Sequence, residues 1–123
     1  MPDVLQQRGG VSVLVCDAAG PPVATIETAL DLIGNASFGG AEVVALPAGR
    51  LDPSFFTLGT RFAGEVMQKF VNYRLRLVVV GDISEHLAAS GALRALVAES
   101  NRHDHVWFVP DLAALDARLA TRA

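Results

Sequence analysis

Apolar residues along this chain fall into blocks of two alternating periods. VSVLVC (residues 11–16), EVVALP (42–47), LRLVVVG (75–81) and HVWFVP (105–110) are short, nearly continuous apolar runs rich in β-branched residues. That is the composition of strands covered on at least one face. Between them the spacing turns helical. Ile26, Ala29, Leu30 and Ile33 mark one face of a first helix, with Thr25 as its N-cap. Gly34 and Asn35 loosen its end and FGGA closes it. Phe62, Ala63, Val66, Met67, Phe70 and Val71 mark a second helix over residues 60–73. Leu93, Leu96 and Val97 mark a third over residues 92–101, and Leu112, Leu115 and Leu119 a fourth behind a capping Asp111. Ser84 opens a short helical segment that Ser90-Gly91 interrupts, and Asp52-Pro53 sets up one helical turn in the long connection after the second strand.

The order β-α-β-α-β-α-β-α predicts an α/β fold with right-handed crossovers. The expected architecture is a single small domain over residues 11–123, a four-stranded parallel or mixed sheet flanked by about four helices. An antiparallel edge strand is as compatible with the pattern as a strict doubly wound sheet. Residues 1–10 show no periodicity and are expected as a flexible lead-in.

Composition narrows the function classes. With 123 residues and 51% of them apolar, the chain can bury one core without staples. A net charge of -3 gives no basic field for nucleic acid or for an anionic lipid surface. No apolar run approaches the length of a membrane span. The start, MPDVLQQRGG, lacks the basic and apolar pattern of a secretory signal, and the one cysteine, Cys16, forms no intrachain disulfide. The expectation is a cytoplasmic protein. Neither G-x-G-x-x-G nor G-x-x-x-x-G-K-[ST] occurs, so no nucleotide cofactor is expected. His103 and His105 alternate without a third ligand at metal spacing, so no metal is expected.

The polar residues of the second helix carry the most chemistry. Arg61, Glu65, Gln68 and Asn72 recur at i, i+4, i+7 and i+11 with Lys69 beside them, lining the face opposite the apolar stripe. As a plain solvated face they amount to a minor Arg61–Glu65 pair; as a recognition face they would meet a partner or ligand. Asp82 follows the third strand, and Asp17 and Arg50 fall on the same edge if the strands are parallel. In open α/β sheets ligands gather at that edge, although Asp82 serves equally as a turn residue before Ser84. Cys16 with His86 is a remote nucleophile–base pair; an apolar strand usually holds an inert cysteine. Trp107 and Phe108, or the aromatics of FFTLGTRF, are interface anchors if exposed.

The segments DLIGNASFGGAEVVALPAGRLDPSFF, AGEVMQKFVNYR and VVVGDIS resemble a bacterial family called domain of unknown function 4180, over most of residues 11–119. That family's name implies no activity. More distantly, the order of a strand, a Ser/Thr-containing loop, a helix and a strand ending in glycine is similar to STAS-like domains, whose loop carries a phosphorylatable serine and meets a kinase partner. Here the loop is LDPSFFTLGT, the Asp-Ser-Ser-Gly type pattern is not intact, and the resemblance implies Ser54, Thr57 and Thr60 as the corresponding hydroxyls.

Two functional readings follow. The first is a non-catalytic regulatory or protein-interaction module, STAS-like, that contacts a protein partner through residues 50–60 and the start of the next helix. The second is a small-molecule binder or modest acid/base enzyme with a pocket between helix 60–73 and the strand ends. There Glu65 would be the acid/base group, Arg61 an anion clamp, Gln68 or Asn72 orienting groups and Phe55, Phe56 and Phe62 the wall. A homodimer is compatible with both.

Overall fold

The computed structural model describes residues 3–122, without the Arg122 side chain. The chain begins with a hairpin, β1 (Val4–Arg8) and β2 (Val11–Val15). Arg8 pairs with Val11 across a two-residue turn, and both turn residues, Gly9 and Gly10, take positive φ (57° and 79°). Two-residue hairpins with glycines in those conformations match the right-handed twist of their strands. The segment expected as a flexible lead-in is therefore an antiparallel edge strand from Val4 to Arg8, while Met1 and Pro2 lie outside the described residues. Val4 and Leu5 stay half exposed at that edge, which is why no burial periodicity marked it.

The remaining strands are β3 (Val43–Pro47), β4 (Arg76–Val80) and β5 (Val106–Val109). The sheet order is β1-β2-β3-β4-β5, with β1 antiparallel and the other four parallel. It is thus a five-stranded mixed sheet rather than a four-stranded one. Because β2 to β5 follow one another in sequence order, each right-handed crossover drops its helix on the same face. That face receives α1 (Ile26–Phe38), the short α2 (Pro53–Phe56), α3 (Phe62–Asn72) and α5 (Gly91–Asn101). A short α4 (Ser84–Ala89) precedes α5, and α6 (Leu112–Arg122) crosses the opposite face.

Alternation along each strand feeds the two cores. Val44, Leu46, Leu77, Val79, Val106 and Phe108 point toward α1, α3 and α5. Val13, Val43, Ala45, Val78, Trp107 and Val109 point toward Leu115 and Leu119 of α6. Helix α1 runs through Gly34 and Asn35 to Phe38, four residues beyond the first glycine, because Leu32, Ile33 and Ala36 keep a buried face in register. Thr25 caps it in a reciprocal box with Thr28, as its position predicts, and Gly39 and Gly40 end it. Ser90 caps α5 through the Leu93 N–H at 3.1 Å, and Asp111 accepts from the Ala114 N–H at 2.8 Å at the start of α6.

Candidate functional site: a trough over helix α3

The sequential strand order seats α3 between α1 and α5. Phe62, Ala63, Val66 and Phe70 fix its buried face, which leaves Arg61, Gly64, Glu65 and Gln68 exposed along the opposite side. Gly64 has no side chain there, and a Cβ at that position would meet nothing within 4 Å. The result is an open trough of about 670 Å³ with Arg61, Glu65, Gln68 and Lys69 along α3, Ile26 of α1 on one side and Leu96 of α5 on the other. Leu58 closes its upper end. A second hollow of about 320 Å³ continues from the shared Gly64, Gln68 and Leu96 past Met67 and Val71 to Val106. The floor is mainly apolar and the charges stand at its margin.

Two features of the trough run against ordinary helix chemistry. Arg61 sits at the N-cap in the left-handed region, with φ 66° and ψ 4°, a conformation that costs a non-glycine residue about 1–2 kcal/mol. Its guanidinium repays none of this, since among the described residues no hydrogen bond or ion pair engages it. Glu65 and Lys69 are likewise without an ion pair among the described residues, so the Arg61–Glu65 pair expected from i,i+4 spacing does not form. Gln68 does bond Asn72, at 2.8 Å, along the helix.

The loop before α3 is bonded largely within itself. Asp52 caps α2 by accepting from the Ser54 N–H at 3.0 Å, and hydrogen bonding from Ser54, side chain first and backbone second, holds its carboxyl below the usual carboxylate range. The single Thr60 hydroxyl proton is shared between the carbonyls of Ser54 (2.7 Å) and Thr57 (2.8 Å), and the oxygen accepts from the Phe62 N–H (3.2 Å). Phe55, Phe56 and Phe62 are buried, Phe55 meeting the other two edge-on. They anchor the loop to the core and form no wall of a ligand site. Of the three hydroxyl-bearing residues, Thr57 and Thr60 are exposed and Ser54 is half-buried. The Thr57 hydroxyl donates only to the Pro53 carbonyl, at 3.3 Å.

The parallel strands do bring Asp17, Arg50 and Asp82 to one edge, but not as a ligand site. Arg50 is only 5% exposed. Its Nη1 donates to Asp3 at 3.0 Å and to the Asp17 carbonyl at 3.3 Å, and its Nε to the Pro21 carbonyl at 2.9 Å. Gly20 lies flat against the guanidinium, where a Cβ would come within 2.7 Å of it. Asp82 accepts from the Ser84 N–H at 2.9 Å, a turn contact, and hydrogen bonding from Ser84, side chain first and backbone second, lowers its pKa. A strand-end hollow of about 340 Å³ does exist beside Asp82, but it lies under α4 and α5, not α3. Its Asn101 amide is spent on both backbone groups of Phe108.

The other candidates resolve as packing. His86 stacks on Phe56 at 4.2 Å. Cys16 is buried, and desolvation, with Asp3 nearby, pushes its thiol from 9.0 up to about 12. At pH 8 the native thiolate fraction is then about a thousandfold below that of the unfolded chain. Folded protein is accordingly expected to resist iodoacetamide at pH 8 and to react at once in denaturant, read by intact mass. The same shift leaves stability untouched below pH 9. Between 9 and about 12 the unfolded chain releases a proton that the native thiol retains, so stability falls by about 1.4 kcal/mol per pH unit. Trp107 and Phe108 are both buried, so neither is an exposed anchor. Among the described residues no group of three His, Cys, Asp or Glu side chains is placed to hold a metal ion. His103 pairs with Glu99, whose carboxyl is held low by Arg102 first and His103 second.

Sequence periodicity found the exposed face of α3 but missed Ile26, Leu58 and Leu96, which make it concave, and Gly64, which deepens it. An exposed glycine inside an amphipathic helix was the available signal. Among the described residues no helix is long and apolar enough to cross a membrane. Residues 8–119 match the model of the family described as Domain of unknown function (DUF4180). No curated protein and no solved structure matches the chain.

Proposed function

The chain belongs to the DUF4180 family, and on that footing we propose that it is a non-catalytic, regulatory protein-interaction module of STAS-like type. It meets its partner through the end of the 50–60 loop and the outer face of α3. The observation that carries this reading is the trough itself: an apolar floor between Ile26 and Leu96, with Arg61 held in a strained conformation at its mouth. The backbone bonds from the Arg61 N–H to the Leu58 carbonyl and from the Glu65 N–H to the Arg61 carbonyl fix that turn, while the guanidinium, without a hydrogen bond or ion pair among the described residues, is left to a partner. The exposure of Glu65 removes the desolvation that an acid/base role needs. The STAS-like reading draws support from the loop–helix–strand order, with β4 running into Gly81. Of the three hydroxyls, Thr57 is the one a kinase would reach with least disruption, next to Leu58 at the head of the trough.

Arg61→Gly separates stability from docking. Relief of the left-handed strain, less the entropy glycine adds to the unfolded chain, leaves a gain of about 0.5–1 kcal/mol. The variant is expected to melt higher yet lose its partner. Native mass spectrometry of the protein from its own host reads the second effect as loss of a protein–protein complex that the wild type shows. A complex unaffected by Arg61→Gly would contradict the reading. The second reading, a small-molecule binder, is favoured by the volume, about 670 Å³, which lies within the range of ligand sites. A mass increment of a few hundred daltons lost on denaturation would select it.

A further inference from the structure

We propose that the trough receives an amphipathic helix of a partner protein, a helix whose flank carries an acid–base–acid row opposite Arg61, Glu65 and Lys69. This rests on the docking reading above and names the partner's chemistry. The shape argues for a rod. The two hollows join at Gly64, Gln68 and Leu96 and run the length of α3, whose 11 residues span about 16 Å, or three turns. The trough is open along that length, its margins formed by the exposed Arg61, Glu65 and Gln68. A compact ligand would leave much of its surface in water there, whereas a helix buries only one stripe. Gly64 lets a second backbone approach closely, as glycine does wherever two backbones meet. Ile26, Leu58, Leu96 and the 38%-exposed Val71 offer contact to apolar anchors spaced by helical turns.

The charges set the partner's pattern. Arg61, Glu65 and Lys69 stand at i, i+4 and i+8, a plus–minus–plus row at the spacing that ordinarily closes ion pairs within one helix. All three are without an ion pair among the described residues, so each can pair across an interface. The row reads the same in both directions, so a minus–plus–minus helix satisfies it parallel or antiparallel. A second copy of this chain docking by its own α3 in register would set Arg61 against Lys69 and Glu65 against Glu65, like against like. Opposed like charges disfavour a wrong partner more than matched ones favour the right one.

The test uses two fluorescein-labelled amphipathic peptides of about four turns with identical leucine faces. One carries Glu, Lys, Glu at the flanking i, i+4 and i+8 positions, and the other Lys, Glu, Lys. Anisotropy titrations against the full chain are expected to show the first binding roughly tenfold more tightly at low salt, the preference shrinking as salt screens it. A triple variant, Arg61→Glu, Glu65→Lys and Lys69→Glu, is expected to invert the preference, since it reverses each charge along the trough's margin. Gly64→Phe, whose side chain fills the trough, is expected to abolish binding of both. Equal binding of the two peptides, a preference unchanged in the triple variant, or binding of neither would overturn the helix proposal. In the last case, a partner still cross-linked from position 68 in cells would keep the docking reading and remove only the helix. Self-association of the chain that Gly64→Phe prevents would instead assign the trough to a second copy.

Discussion

Trp107→Ala is expected to destabilise the protein by about 4 kcal/mol, since truncating a fully buried aromatic removes both its transfer free energy and the packing around it. Trp107 is 1% exposed, on the sheet face covered by α6, and fills the core beside Leu115 and Leu119. Its indole N–H donates to the His103 carbonyl at 2.6 Å, and the Arg118 guanidinium lies 4.1 Å above its ring. The same Arg118 donates to the Asn101 carbonyl at 2.8 Å, so the tryptophan links β5 to the end of α5 and to α6 at once. A loss of that size corresponds to a melting temperature lower by roughly 15 °C. Circular dichroism melts measure it. An exposed interface anchor would behave oppositely, with stability nearly unchanged and partner binding lost.

Arg50→Met carries the second large effect, about 2–3 kcal/mol of destabilisation. Methionine keeps the aliphatic stem but leaves the Asp3 carboxylate and the carbonyls of Asp17 and Pro21 without their donor. Removing one partner of a buried pair generally costs about 3–5 kcal/mol; the Asp3 side chain is 24% exposed, and water recovers part of that loss. Arg50→Lys is expected to recover only a fraction, because one ammonium cannot span three acceptors set around a planar fork. Chemical denaturation of the two variants measures the ranking. If Arg50 were instead a ligand-binding group, its removal would leave the midpoint where it was.

These outcomes bear on how the sequence could be read. Four strands, all four long helices and the caps at Thr25 and Asp111 were legible, because burial imposes periods of 2 and 3.6 on neighbouring residues. Strand β1 was not, because Val4 and Leu5 remain half exposed and the strand is held by backbone pairing to β2; Gly9-Gly10 was its one local mark. The exposed face of α3 was legible as a pattern, but not as a trough. Concavity depends on where Ile26 and Leu96 arrive, and they come from other helices, 24 or more positions from any residue of α3. Arg50 misled for a related reason. A charged residue after a strand reads as a site, and only the return of Asp3 along the hairpin shows that its charge is already paired.

Docking of a partner in the trough over α3 is the proposal on which the rest depends. Its most direct test is photo-cross-linking in the host, with Gln68 replaced by benzoylphenylalanine and, as a control, Ala113 replaced in the same way. Gln68 lies in the trough, whereas Ala113 is exposed on α6 across the sheet. Docking there is expected to give one discrete protein adduct from position 68, none of that mass from position 113, and loss of the adduct when Gly64→Phe fills the trough. The same adduct from both positions, or one from position 68 that survives Gly64→Phe, would contradict it.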